Sequence, residues 1–354
     1  MDGKSMRNHP PTSSVCINRP LHFFAVFTTL WTFILICSGG LVTSKGAGMS
    51  VPDWPTTYGY NMFLFPISRW VGGIFYEHTH RLIASGIGIW TLLLSAWILA
   101  VEKRRWVRIL GILAFLSVVF QGVLGGLRVT LNANFIGIFH GMLAQSFLSL
   151  LGILAIVTSP WFLSGKYKNF YAPRRLKWVA MTVTLIIFIQ LIVATSMRHA
   201  HAGLSITDFP TAYGKWWPPM DAPSVARINQ DRITQGQVAT TAIQIGLQML
   251  HRLLAIVIFI GVGLFAYLIR KFTYLRSLGI TWVFLICIQI TLGAWTIWSN
   301  KAADIATTHM AIGALSLFLG IQLTFLMFYA FRKEKFQSLA GETSHKVLKT
   351  HLSS

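Results

Sequence analysis

Charge is what this chain has least of. Only 11% of its residues are charged and Asp and Glu together number ten, against 54% hydrophobic residues and a mean hydropathy of +0.60. Soluble domains carry about 25% charge, so the composition excludes a soluble globular protein and predicts an all-α polytopic membrane protein. The formal charge of +20 reflects the shortage of acids. The bases sit in short loops between apolar segments, a pattern of membrane orientation that points to no nucleic acid. Ten scattered acids also supply no aspartate cluster to hold Mg²⁺ and a diphosphate, which argues against a prenyltransferase. Cysteine is scarce too. Cys16, Cys37 and Cys287 form no CxxC and no two share a loop, excluding a disulfide framework and a thiolate metal site. The first twenty residues lack the Arg-rich amphipathic pattern of a transit peptide, and the apolar run after them is too long for a signal peptide. That run reads as a mature spanning helix.

What the chain does have is long apolar runs. A spanning helix takes roughly 20 apolar residues, and eight segments qualify: 21–42, 79–100, 107–127, 136–158, 177–196, 241–269, 277–298 and 305–330. An even number places both termini on one side of the membrane. Twenty of the thirty Lys and Arg residues fall in the two tails and in the loops after the second, fourth and sixth segments, which predicts cytoplasmic termini. The long loops 43–78 and 197–240 then lie outside.

Those two loops carry an internal repeat. Ala47-Gly-Met-Ser-Val-Pro-Asp-Trp-Pro-Thr-Thr-Tyr-Gly59 aligns with Ala202-Gly-Leu-Ser-Ile-Thr-Asp-Phe-Pro-Thr-Ala-Tyr-Gly214, identical at eight of thirteen positions. Each copy belongs to a half of four helices, so the halves share one orientation. The expected architecture is eight transmembrane helices in two tandem four-helix bundles, related by a pseudo-two-fold axis along the membrane normal. The predicted boundaries are 1–20 for a cytoplasmic tail, 21–165 and 166–330 for the bundles, and 331–354 for a second cytoplasmic tail. Large rings in the loops, among them Trp54, Tyr58, Trp70, Phe209, Tyr213 and Trp216, fit either an interfacial aromatic belt or a lid over something bound.

Four histidines sit near the outer ends of four parallel-running helices: His80, His140, His251 and His309. Ionisable residues in spanning segments mark function, and a matched pair in each repeat strengthens that reading. Two imidazoles on facing helices, in apolar surroundings, suit a haem iron, whose porphyrin supplies the other four nitrogens. Zinc would want more ligands than each half offers. The pairs His78-x-His80 and His199-x-His201 are spaced as copper ligands, although solvated loop histidines are the commoner explanation of such pairs. Gln121–Gly126 and its partner Gln289–Ala294 offer small-residue surfaces at the same depth, for a flat ligand or for close helix packing. Arg81, Arg128 and Arg252 lie near this level, placed for haem propionates or for snorkelling to the interface.

The halves differ at one telling position. Glu77 stands three residues before His80, whereas Gln248 stands three residues before His251. At i,i+3 the two side chains share a helix face. A carboxylate there can transfer protons or stabilise developing positive charge, and an amide cannot titrate; a helix-start acid favoured by the dipole is the plainer alternative. The contrast predicts a reactive first half and a structural or electron-transferring second half.

The eight-helix duplication, Glu77-x-x-His80, His140, His251 and His309 together resemble the heme A synthase family, over about residues 21–330. The resemblance implies an oxidoreductase of the bacterial cytoplasmic membrane that oxidises the C8 methyl of heme O to a formyl group by successive hydroxylations, giving heme A for cytochrome c oxidase. It implies that Glu77 is catalytic, that His80 and His140 flank the substrate haem, and that His251 and His309 ligate the iron of a resident heme b. Implied partners are heme O itself, heme O synthase, oxidase assembly factors, an electron donor and the lipid bilayer. Unlike some bacterial members, the chain has no cysteine pair in the first outer loop, and His78 stands as a second imidazole beside His80. The competing functional class is a di-haem b electron-transfer protein; a parallel-repeat transporter with a histidine proton relay is a third.

Overall fold

A computed structural model describes residues 18–133, 135–165, 167 and 173–331. Most of the predicted 1–20 tail, and all but the first residue of the 331–354 tail, lie outside these. The described residues form ten helices: α1 (Arg19–Ser44), α2 (Gly72–Val101), α3 (Arg105–Thr130), α4 (Ile136–Thr158), the short α5 (Pro160–Leu163), α6 (Arg174–His199), α7 (Ala222–Thr234), α8 (Ala242–Ile269), α9 (Thr273–Trp298) and α10 (Ala303–Phe331). All except α5 and α7 are long and apolar enough to cross a membrane, so the predicted eight spans are present. Their starts are set locally. Asn18 accepts from the Leu21 amide with Pro20 in the first turn of α1, and Thr241 and Gln244 close a capping box on α8.

One boundary moves in a way that matters. Hydropathy places the start of the second span at residue 79, but α2 begins at Gly72, with Val71 extended before it and Gly72 at φ +54°. Tyr76–Arg81 is polar, yet the first outer loop satisfies those polar groups, so helical geometry continues through them. Glu77 and His80 therefore lie in the second and third turns of α2 and not at its mouth, which removes the helix-start explanation of Glu77.

Helices α1, α2, α3 and α4 pack in a closed ring, and α6, α8, α9 and α10 repeat that ring. Leu21, Ile87, Leu94, Ile98, Phe147 and Leu154 fill the first, while Leu176, Val183, Phe265, Trp282, Leu317 and Leu323 fill the second. Between the rings α1 meets α10, α4 meets α6, and α4 meets α10. Exchanging equivalent helices maps this set of contacts onto itself, which is what a two-fold relation requires. Ile36, Leu148 and Ala314 sit at the joint, where Gln322 also donates to the Ser149 carbonyl at 2.9 Å.

The second outer loop carries α7, which the repeat did not forecast. Asp221 caps it, and Arg232 turns back to the carbonyls of Leu204, Ser205 and Val238. An extra helix is thus tied to the repeated segment itself.

Candidate functional site

The two outer loops fold identically around an aspartate. Asp53 accepts from the Thr56 hydroxyl and from the amides of Tyr58 and Gly59, and Asp208 accepts from Thr211, Tyr213 and Gly214. Both Tyr–Gly pairs have positive φ, a conformation the carboxylate stabilises by collecting their amides. Tyr58 and Tyr213 donate their hydroxyls to the carbonyls of Ser50 and Ser205. Burial raises the carboxyl pKa of Asp53 and Asp208, but these hydrogen bonds outweigh it and hold both below the usual carboxylate range.

One residue of each helix meets the loop at an equivalent backbone amide, and there the halves part. Gln248 accepts the Ile206 amide at 2.7 Å and donates to the Ile206 carbonyl at 3.1 Å. Glu77, 4% exposed, accepts the Val51 amide at 2.9 Å but cannot donate. Arg81 supplies the missing donor: its guanidinium reaches the Val51 carbonyl and Glu77 Oε1, both at 2.8 Å, as well as the carbonyls of Asp53 and Thr56. Arg252 reaches the carbonyls of Asp208 and Thr211 in the same manner. Two of the three arginines placed near the haem level by sequence thus hold loop backbone with both terminal nitrogens. Arg128 is different. Its side chain makes no hydrogen bond among the described residues, and its Nε is buried without a partner.

Among the histidines, His78 turns away from its neighbour. It is fully buried at the base of the first loop, with Nδ1 at 3.1 Å from the Thr57 hydroxyl and its ring against Phe65 and Trp70. His80 faces α1, where a Cβ on Gly39 would stand 3.0 Å from its Cε1. The two imidazoles of His78-x-His80 therefore diverge, against the copper-pair reading, and His80 is the one turned into the bundle. The rings of His140 and His309 lie likewise against Gly125 and Gly293, with would-be Cβ separations of 3.4 Å and 3.1 Å. Glycine at these positions clears room for an imidazole. His80 and His140 lie within electrostatic range of each other, and the ring centres of His251 and His309 are 6.3 Å apart.

That last distance has chemical meaning. Two imidazoles that bind one metal ion from opposite sides, with metal–nitrogen distances of ~2 Å, leave their ring centres roughly 6 Å apart. All four Nδ1 atoms are buried without a partner, so the rings are set in place by packing. No three His, Cys, Asp or Glu side chains converge as a ligand set among the described residues. The donor set suits a metal that brings most of its ligands with it.

Comparison with known proteins agrees. The sequence pattern of the family described as cytochrome oxidase assembly protein (COX15-CtaA) matches residues 64–321. The chain belongs to this family. It is 25% identical over 325 residues to the Heme A synthase of Exiguobacterium sibiricum, covering 90% of this chain and 98% of that one. To the Heme A synthase of Shewanella oneidensis it is 24% identical over 330 residues, covering 85% and 95%. The matched region holds Glu77 and all four helix histidines.

Sequence reasoning named Gln121 and Gln289 only as the starts of small-residue stretches, passed over Gln190, and missed that all three contact the histidines. Gln121 donates to the His140 carbonyl at 3.0 Å and Gln190 to that of His251 at 2.9 Å, while the Gln289 amide lies 3.5 Å from His309 Nε2. The signal was available: an amide inside an apolar span is costly and marks a place with work to do. Trp54 was read as belt or lid; it packs over Gly126 of α3 and is 42% exposed on its other side. It forms part of an ordered cover.

Proposed function

We propose that this cytochrome oxidase assembly protein is a heme A synthase, oxidising the C8 methyl of heme O to the formyl group of heme A in a bacterial cytoplasmic membrane. The observation that carries the proposal is the Glu77–Gln248 contrast within otherwise matched loop anchors beside matched histidine pairs. In this reading His80 and His140 hold the substrate porphyrin in the first bundle. His251 and His309 hold a resident heme b in the second, with Gln190 steadying the backbone at His251. The resident haem supplies one-electron redox chemistry between the substrate and an outside electron donor.

Glu77 carries the acid–base work. Its carboxylate is fixed by the Val51 amide on Oε2 and by Arg81 on Oε1, so it meets the substrate edge in one orientation, already desolvated. From there it can accept or deliver a proton at the porphyrin edge and balance positive charge that develops there. The outer loop excludes water from the same edge, with Trp54 over Gly126. Both termini are placed in the cytoplasm on the distribution of Lys and Arg.

The test is Glu77→Gln. Gln248 demonstrates that an amide satisfies the same loop anchor, so this variant removes the charge with little disturbance of the fold. Haems extracted from cells carrying it should contain heme O and no heme A, while the purified protein keeps the spectrum of bound heme b. Normal heme A production would refute the catalytic assignment. Two permanent b haems with no modified haem from the unaltered protein would favour the electron-transfer class instead.

A further inference from the structure

Four basic side chains gather between the two bundles at their outer ends, and the functions assigned above use none of them. Arg128 comes from α3; its guanidinium reaches Gly48, where a Cβ would stand 2.8 Å from Nη2. His199 ends α6 and shares the face of Gly137 with Arg128: a Cβ there would meet the imidazole at 2.5 Å and Arg128 Nε at 3.2 Å. Arg198 crosses from the second half to the first and donates to the Ser44 hydroxyl at 3.3 Å, where Thr307 of α10 also donates at 3.1 Å. Lys301, in the α9–α10 turn, lies over Gly203 and within electrostatic range of Arg198.

None of Arg128, Arg198 and Lys301 has a carboxylate at ion-pairing distance among the described residues. Glu77, the acid within electrostatic range of Arg128, is held by Arg81. Half-buried like charges without counterions repel one another and lose hydration, so the fold maintains this cluster at a cost. Membrane orientation does not explain it, because in the topology above these cations stand on the outer side. The cluster also acts electrostatically on both sites. Arg128 is within electrostatic range of His80 and His140, and Arg198 of His309. By the loop and helix repeats Arg128 corresponds to Thr296 and Arg198 to Thr43, so each half contributes one arginine that the other lacks.

We propose that Arg128, Arg198, His199 and Lys301 form one anion site shared by the two halves, which takes the carboxylates of the porphyrins bound on either side. Arg128 serves the first-half ligand, and Arg198 with Lys301 the second-half ligand. The inference rests on the porphyrin reading of the histidine pairs.

The experiment titrates iron protoporphyrin and its dimethyl ester, whose carboxylates are masked, into the full-length haem-depleted protein in detergent, following the Soret band. Unaltered protein should prefer the free diacid. Arg198→Gln and Lys301→Gln should each weaken diacid binding by about tenfold, the worth of a charge-assisted hydrogen bond, and leave ester binding unchanged. Arg198→Lys, which keeps the charge, should recover most of the loss and guards against misfolding as the cause. Equal loss for diacid and ester, or no loss in either variant, would overturn the shared site while leaving the histidine pairs intact. Protein that binds neither porphyrin would sink the functional reading as well. Thermal stabilisation by inorganic phosphate or by anionic lipid that vanishes in Arg198→Gln, with diacid affinity unaltered, would assign the cluster to those anions and overturn the proposal.

Discussion

At the scale of single residues, Glu77 has two jobs that one substitution can separate. As an anchor it satisfies the Val51 amide, and in the proposed function its carboxylate carries charge to the edge of the first site. Glu77→Ala abolishes both jobs and leaves a buried amide unpaired, at a cost of about 1–3 kcal/mol. Glu77→Gln abolishes only the second. The alanine variant is therefore expected to melt at a lower temperature than the glutamine variant while both lack heme A synthesis, which parallel thermal unfolding and haem extraction would check. The glycines that face the imidazoles give a second residue-scale prediction. A Cβ on Gly293 already lies 3.1 Å from the His309 ring, so Gly293→Val must displace that ring. The spectrum of the haem proposed for this pair should shift or disappear, whereas Gly263→Val, at a position with open space, should leave it unchanged.

At the scale of elements, the outer loops are ordered because an aspartate collects the amides of each turn. A carboxyl held below its ordinary range adds stability that is complete above the unfolded-state value and is lost as pH falls through the folded-state value. The loops should therefore resist proteolysis at neutral pH and open below the usual carboxylate range. Asp53→Ala should remove the acid-dependent step from the first loop alone and loosen it at every pH. Limited proteolysis across pH, resolved by cleavage site, would show this; an unchanged first loop would refute it. The same elements explain why α2 starts seven residues earlier than hydropathy suggests. A window average treats Tyr76–Arg81 as water-seeking, and it has no means of knowing that Val51, Asp53 and Thr56 arrive to satisfy them.

For the whole molecule, the joint between the bundles is a narrow seam of α1, α4, α6 and α10. Gly152 sits in it, and a Cβ there would fall 2.3 Å from the Phe318 ring and 2.6 Å from the Gln322 amide. Gly152→Leu should wedge the halves apart and destabilise the protein by about 1–3 kcal/mol, seen as a lower melting temperature in detergent. Topology is tested separately: reporters fused to either terminus should both report the cytoplasmic side.

The amino-acid sequence alone determined the membrane class, the eight spans, the duplication and the four histidines, since each is written in composition, run length or spacing along a helix. The Glu77–Gln248 difference was legible too, because a repeat provides its own internal comparison. What only the tertiary structure decided was how these side chains are spent. Arg81 and Arg252 were placed at the right level, but their guanidinium groups hold loop carbonyls brought from about thirty and forty residues away. His78 and His80 were indistinguishable by spacing until packing turned one into the loop and the other into the bundle. Arg198, His199 and Lys301 gave no local signal of belonging with Arg128. Their neighbourhood exists because the chain folds twice and sets the halves side by side. Periodicity reports the face of a helix on which a residue lies, whereas only the packed whole supplies the partner it meets there.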